Sequence, residues 1–551
     1  MRGWKRRSLV GVGVAAVIAA PAMILGSGVT PAMAAGTSQS GWRPQLTPLG
    51  RATPAASAPG LTPAAQSPWV ALHHAAPFSP GTMLLGSDGT VYVHSEPPEG
   101  GTPNWWRLTP DAKGSYVNGT WSRMPSMPGG YDPLYFSSAI LPDGKMIVEG
   151  GEYLGGNPVW TNRGAIYNPV TNSWKKVAPP AGWTNIGDAQ SDVLANGTYM
   201  QAQACSQCTS STPLSSIQFA LFNTTGDTWL IPPAVVGKND PNDEEGWTLE
   251  PSGQLLTVDT WLPPTTELFT PSTLAWSFAG NTPRSPVNSP SAEIGPQAEM
   301  PGGNVFVVGA GTGPENPAPC TTSSPAATAL YNDAAGQWVS SPPIPTIDGM
   351  QYDSADGPAA TLPDGNVLFD VSPCVYNAPI AFDLYNAATN TISSVPNVPG
   401  AADDSTYYTR LLDLPNGQVL FNDGTSRLQV YTAGGNPDPS WAPSISAISS
   451  TNLVPGKTAT LSGTQLSGLD QGAAYGDDVQ DATNFPVVRI ANDATGAVTY
   501  ARTSQWTSVS VAPGASSSTK FLVRKSTPAG PSTLEVIANG IASTPVGVTI
   551  R

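Results

Sequence analysis

The stretch Ile140-Leu-Pro-Asp-Gly-Lys-Met-Ile-Val148 places two apolar runs on either side of a Pro-Asp-Gly turn. That arrangement predicts a tight antiparallel hairpin, with glycine supplying the positive φ that the turn requires. The same line returns as Leu84-Leu-Gly-Ser-Asp-Gly-Thr-Val-Tyr92, Val193-Leu-Ala-Asn-Gly-Thr-Tyr199 and Leu249-Glu-Pro-Ser-Gly-Gln-Leu-Leu256. It returns again as Met300-Pro-Gly-Gly-Asn-Val-Phe306, Leu362-Pro-Asp-Gly-Asn-Val-Leu368 and Leu414-Pro-Asn-Gly-Gln-Val-Leu420. The turn glycines are Gly89, Gly144, Gly197, Gly253, Gly303, Gly365 and Gly417, spaced by 55, 53, 56, 50, 62 and 52 residues. A fixed period of about 50 residues means one supersecondary unit repeated along the chain.

A second landmark follows each hairpin: an apolar strand, a turn, then a tryptophan. It reads Ala165-Ile-Tyr-Asn-Pro-Val-Thr-Asn-Ser-Trp174 in the second repeat, with Trp229, Trp276 and Trp338 at the matching places later and Ile392 in the sixth. Repeats of this length and content resemble the blades of a kelch-type β-propeller. The expected fold is therefore all-β, a seven-bladed kelch-type β-propeller over residues 68–442, with the large rings packed between neighbouring sheets. A ring protects its sheet edges only when its ends are joined. The segment Trp42-Arg-Pro-Gln-Leu-Thr-Pro48 resembles Trp174-Lys-Lys-Val-Ala-Pro179, and is expected to close the seventh blade, whose own tryptophan would be Trp441.

Composition agrees with turn-rich β-structure. The chain holds 57 glycines and 58 prolines, yet 40% of residues are hydrophobic and 8% aromatic, which sets it apart from disordered chains. Residues 1–34 read as a secretory signal: Arg2, Lys5, Arg6 and Arg7 form a basic head, Val10 to Leu25 an apolar stretch, and Ala32-Met-Ala34 a cleavage site. The Arg6-Arg7 pair also suits a twin-arginine exporter. A Pro/Ala/Ser-rich linker is expected over 35–67. Losing the signal removes four of 24 basic residues and none of 39 acidic ones, leaving 20 against 39 and a net charge of −19. Such a chain is a poor partner for nucleic acid or anionic membranes. The expected location is secreted, extracellular or cell-wall associated, with no membrane insertion after cleavage. Four cysteines in an exported protein predict disulfides. Cys320 and Cys374 follow the hairpins of consecutive repeats and are paired on that ground, leaving Cys205 and Cys208 to close a local loop.

After about Pro443 the repeat stops. Residues 443–551 carry short strands such as Thr458-Ala-Thr-Leu461, Val487-Val-Arg-Ile490 and Val546-Gly-Val-Thr-Ile550 between Gly and Pro turns, and read as an immunoglobulin-like β-sandwich. A propeller followed by a sandwich resembles galactose oxidase and its relatives, the kelch-type copper radical oxidases. Tyr475-Gly-Asp-Asp478 and Pro528-Ala-Gly with Leu534 and Ala538-Asn-Gly540 resemble that family's C-terminal domain. The family holds copper with two histidines and two tyrosines, one of the tyrosines crosslinked to a cysteine. Carried to this chain, the resemblance puts Tyr135 at the cysteine, Asp188 at the crosslinked tyrosine, Tyr408 at the first histidine and Gln480 nearest the second. Only Tyr407 matches, at the axial tyrosine. The only histidines are His73, His74 and His94, all in the first repeat, so copper radical oxidase activity is not expected.

Three of those family positions lie nine residues before the turn glycine. Across all seven repeats that offset gives Pro80, Tyr135, Asp188, Glu244, Ile294, Asp356 and Tyr408, with Asp243, Glu245 and Asp404 beside them. In a propeller these positions converge on one mouth of the central channel. Asp188, Glu244 and Asp356 are open to three readings. They could hold a hard cation such as calcium through oxygen ligands, act as acid and base on a glycan, or serve as rim residues bonded to neighbouring blades. Tyr135, Phe136, Trp183, Trp247, Tyr352 and Tyr407 stand near the same mouth, where rings either stack on sugars or simply pack. The expected function is binding of an extracellular ligand, a carbohydrate or cell-surface polymer, through Tyr135, Asp188, Glu244, Glu245, Asp356, Tyr407, Tyr408 and Gln480. The alternative is an extracellular carbohydrate-active enzyme, a hydrolase, lyase or atypical oxidase, using the same carboxylates.

Overall fold

A computed structural model describes residues 67–551 except 98–99, 205–217, 225, 233–235, 243, 290, 315–319 and 476–480. The predicted signal, the Trp42–Pro48 segment, Cys205, Cys208, Asp243 and Gln480 lie outside the described residues. What is described is all-β, consistent with a β-propeller followed by a sandwich; the helical elements among these residues are short 3-10 turns such as Thr406–Tyr408.

Each repeated line forms the hairpin its residues dictate. In the second, Ala139 faces Ile147 and Ile140 faces Met146 across the turn, closed by Gly144 N–H on Leu141 O at 2.8 Å. All seven turn glycines have φ between 71° and 86°, a region where a Cβ is disfavoured. Two further strands extend each hairpin outward. The second sheet runs Ser137–Ile140, Met146–Glu149, Gly164–Asn168, Ser173–Val177, and the other repeats follow the same order. The first strands are Pro80–Leu85, Ser137–Ile140, Ser191–Val193, Thr248–Leu249, Gln297–Glu299, Ala359–Thr361 and Arg410–Asp413. Each touches the next, and the last touches the first.

The tryptophans bridge neighbouring sheets. Trp174 donates to Pro125 O at 2.9 Å, Trp229 to Ala178 O at 2.8 Å and Trp338 to Thr266 Oγ1 at 2.8 Å. Each buries an indole against the preceding repeat while giving its N–H a partner.

The ring is closed from its N-terminal side, at a different place from the one expected. The outermost strand of the seventh sheet is Trp69–Ala71, antiparallel to Gln429–Thr432. Trp69 donates to Pro396 O at 2.6 Å and packs on Phe382 and Tyr431 at 4.7 and 5.0 Å. It therefore does for the seventh sheet what Trp174 does for the second, the place expected for Trp441. Trp441 instead ends a 3-10 turn whose ring lies over Gly365.

The C-terminal domain builds its strands around Leu461, Val488, Ile490, Phe521, Leu534 and Val536. One of its segments reaches into the ring. Ala473–Ala474 pairs with Ala359–Ala360 of the sixth sheet. Gln471 donates to both Asp192 carboxylate oxygens at 3.1 Å and accepts Leu249 N–H at 2.7 Å. Further along, Tyr475 donates to Tyr407 O at 3.0 Å.

That junction is rich in buried acids. Burial raises Asp192 to about 8 against the hydrogen bonds from Gln471, Asp470 to about 7 and Asp481 to about 8. Burial and the charges of Asp470 and Asp481 push Asp413 well up too. The folded state thus holds protons that the unfolded chain, with ordinary carboxylates near 4, releases. The contribution is complete below about pH 4 and is lost as pH rises through 7 to 8. We expect thermal unfolding at pH 5 to need a temperature several degrees higher than at pH 8. An equal or lower midpoint at pH 5 would contradict these protonation states.

Candidate functional site

The nine-residue offset marks unusual backbone. Tyr135, Glu244 and Asp356 have φ of 52°, 59° and 50°, left-handed values that non-glycine residues rarely adopt. At two of these positions the turn delivers a carboxylate to a common point. Oxygens of Glu244, Glu293 and Asp356 lie within 4.8 Å of one another, and the three side chains belong to residues only 3%, 1% and 1% exposed. They come from the loops ahead of the first strands of three successive sheets. Asp356 N–H bonds Ile294 O at 3.0 Å, which sets Glu293 beside Asp356.

Asp188 is not part of this meeting point, although it is buried at the start of the third sheet. Glu293 takes the place expected for it. The offset selected Ile294, whose side chain is buried in the core beside Val287 and Val305. With Ala292 turned to φ 68°, the preceding residue supplies the carboxylate.

Glu245 also departs from the expected mouth cluster. Its carboxylate accepts from Lys238 Nζ at 2.7 Å, Gln190 Nε2 at 3.1 Å and Thr257 Oγ1 at 3.2 Å. Lys238 is fully buried, bonds Asp240 and Glu267 as well, and lies 5.2 Å from the Trp276 ring. Asp259 completes this cage, raised to about 8 by burial and by Asp240. Here an ammonium already fills the centre of the carboxylate group, so Glu245 is an interior ion-pair residue.

Aromatic residues flank the carboxylate triad. Tyr376 donates its hydroxyl to Asp356 Oδ2, and its ring meets Tyr407 edge-on at 4.9 Å. Tyr407 and Tyr408 pack at 4.0 Å. Burial, then the neighbouring phenols of Tyr408 and Tyr135, pushes the Tyr407 hydroxyl well above its ordinary range. Tyr408 is half-buried. Phe136, Trp183, Trp247 and Tyr352 are core residues: Phe136 packs on His94 and Trp105, Trp247 on Trp276, Trp183 on Ile186 and Ala220, Tyr352 on Phe369 and its neighbours. Asp404, raised to about 7 by burial and by Asp423, is likewise outside the triad.

Two of the three histidines bond groups away from the triad. His94 is buried with Nδ1 at 2.9 Å from Glu96 Oε1 and Nε2 at 2.6 Å from Thr102 O. His74 Nδ1 is 2.8 Å from Gly119 O. Cys320 and Cys374 form the expected disulfide, with Cα atoms 5.7 Å apart.

No protein-family model matches the chain, and no curated protein matches it. Solved structures do match. A fungal alcohol oxidase of the AA5 family, in complex with copper, is 13% identical with a TM-score of 0.48, covering 88% of this chain and 98% of its own. YjhT is 13% identical with a TM-score of 0.35, covering 66% of this chain and 98% of that one. The extracellular domain of BT4673 from B. thetaiotaomicron is 10% identical with a TM-score of 0.40, covering 86% and 57%. At these identities the likenesses bear on the fold alone, and the chemistry of the site is read from the geometry above.

Proposed function

We propose that this chain is an exported, galactose-oxidase-like seven-bladed propeller with an immunoglobulin-like sandwich. In this reading its mouth binds a hard cation such as calcium together with an extracellular carbohydrate or cell-surface polymer. The closed circuit of seven first strands supports the blade count. The signal-like N-terminus and the Cys320–Cys374 disulfide support export to an oxidising compartment.

The observation that carries the site is the convergence of Glu244, Glu293 and Asp356. Calcium takes oxygen ligands at about 2.3–2.6 Å, so two ligands on opposite sides of one ion stand roughly 5 Å apart. Three carboxylate oxygens within 4.8 Å fit that size. Buried like charges this close are costly unless a cation or hydrogen bonds offset them. The acid–base alternative needs a gap of about 5 Å or more with room for a glycosidic bond, which three nearly fully buried carboxylates do not favour. Tyr408, with Tyr407 behind it, offers the ring face on which a sugar stacks. The engagement of His94 by Glu96 and Thr102 supports the view that the copper radical site is not retained.

Calorimetry with calcium chloride tests this reading. The wild-type chain should bind one equivalent and gain thermal stability; Glu293→Gln and Asp356→Asn should lose both, while Asp188→Asn keeps them. Glycan-array binding should fall when the ion is chelated. No calcium binding by the wild type, or loss in Asp188→Asn but not in Glu293→Gln, would reject the site.

A further inference from the structure

The segment that carries Tyr376 is folded against its own preference. Cys374, Val375 and Tyr376 have φ of 47°, 50° and 72°, three left-handed residues in a row with no glycine among them. Each is disfavoured by contact between its Cβ and the backbone, and β-branched Val375 most of all. Such a turn persists only where its surroundings over-determine it.

The surroundings do so from two sides. Cys374 is tied to Cys320, and its N–H reaches Gln351 O at 3.2 Å. Val375 N–H donates to Asp353 Oδ2 at 2.8 Å. The same Asp353 accepts Ala355 N–H at 3.2 Å through its other oxygen. One side chain therefore clamps the left-handed turn to the segment that ends in Asp356. Asn377 N–H on Pro373 O at 3.2 Å closes the far end. The product of this clamping is one contact at the mouth, Tyr376 hydroxyl on Asp356 Oδ2, with the ring held against Tyr407.

We propose that Tyr376 is a positioning residue for the mouth cation site, held on Asp356 by a left-handed turn that the Cys320–Cys374 disulfide locks. The proposal rests on the cation reading above. Tyr376 binds no ion itself. Its hydroxyl occupies one Asp356 oxygen and so sets which face of the carboxylate Glu244 and Glu293 meet, the role that outer partners of ligating carboxylates commonly play. The sequence offered no sign of this, since Tyr376 lies outside the nine-residue register and its partner is 20 residues away.

The test is calcium calorimetry on the full chain, comparing wild type with Tyr376→Phe, each oxidised and after reduction with dithiothreitol. Tyr376→Phe keeps the ring that packs on Tyr407, so circular dichroism and the thermal midpoint should stay close to wild type. Its calcium affinity should fall about 10- to 100-fold, the usual effect of losing such an outer partner. Reduction should weaken the wild type in the same direction and add nothing to Tyr376→Phe, because both act through the one hydroxyl. Affinity of Tyr376→Phe within twofold of wild type, or additive losses on reduction, would overturn the proposal. If the wild type binds no calcium, the cation reading itself falls and takes this one with it. If the wild type binds and Glu244→Gln does not, the Tyr376→Phe result alone decides.

Discussion

Replacing Lys238 by methionine is expected to destabilise the ring by about 3–5 kcal/mol, the usual cost of leaving buried charges without their partner. Among the described residues Lys238 is the cation that sits with Asp240, Glu245, Glu267 and Asp259, and its ammonium bonds the first three directly. All of these groups are buried. Burial lowers the lysine's affinity for its proton, but Asp240, Glu245 and Glu267 outweigh it and hold Lys238 well above the ordinary lysine range. Methionine matches the length of the apolar stem and would still pack on Trp276, so the change isolates the charge. For a ring of this size the loss corresponds to a drop on the order of 5 °C in the thermal midpoint.

The pH dependence separates this cause from simple loss of packing. Without the ammonium, the carboxylates can stay buried only by taking up protons, which is easy at pH 5 and costly at pH 8. The gap between Lys238→Met and wild type should therefore widen as pH rises. Adding Glu245→Gln to Lys238→Met should recover part of the loss, because it removes one of the stranded charges. A gap equal at pH 5 and pH 8 would mean the lysine acts mainly through its stem.

The two carboxylate groups show how far the chain could be read before its structure was known. The hairpin line was legible because its turn chemistry is local: proline, aspartate or asparagine, then a glycine that must take positive φ. The same regularity made it a ruler, and the ruler found Glu244 and Asp356. It missed Glu293 because the register selects a backbone position, and at Ile294 it is the neighbour's carboxylate that meets Glu244 and Asp356. Glu245 was joined to the cluster only as a neighbour of Glu244, yet the two adjacent carboxylates part, one to the triad and one to the Lys238 cage. That cage draws on Lys238, Asp240, Glu245, Asp259 and Glu267, which share no spacing that a strand or hairpin pattern would reveal. Trp69 illustrates the same limit. Closing a ring requires some outer strand from the N-terminal side, but which tryptophan supplies it depends on chain length and docking against Phe382 and Tyr431, which are tertiary facts.

The Cys320–Cys374 pair, by contrast, was legible from the repeat, and its removal is the second large effect expected. Crosslinking residues 54 apart in sequence restricts the unfolded chain by about 4 kcal/mol in the chain-entropy account. The double variant Cys320→Ser/Cys374→Ser should thus unfold on the order of 5 °C lower. Two features modify the entropic term, in opposite directions. Cys374 is almost fully buried, so a serine hydroxyl there needs a new partner or costs stability. The turn it begins is left-handed through Tyr376, and without the tether that backbone is free to relax toward ordinary φ values. Relaxation would offset part of the stability loss while withdrawing Tyr376 from Asp356. The stability and the mouth geometry are therefore expected to separate: a double serine variant that unfolds less than about 2 °C below wild type, yet loses calcium affinity, would show that the disulfide's main work is to hold the turn rather than to restrict the unfolded chain.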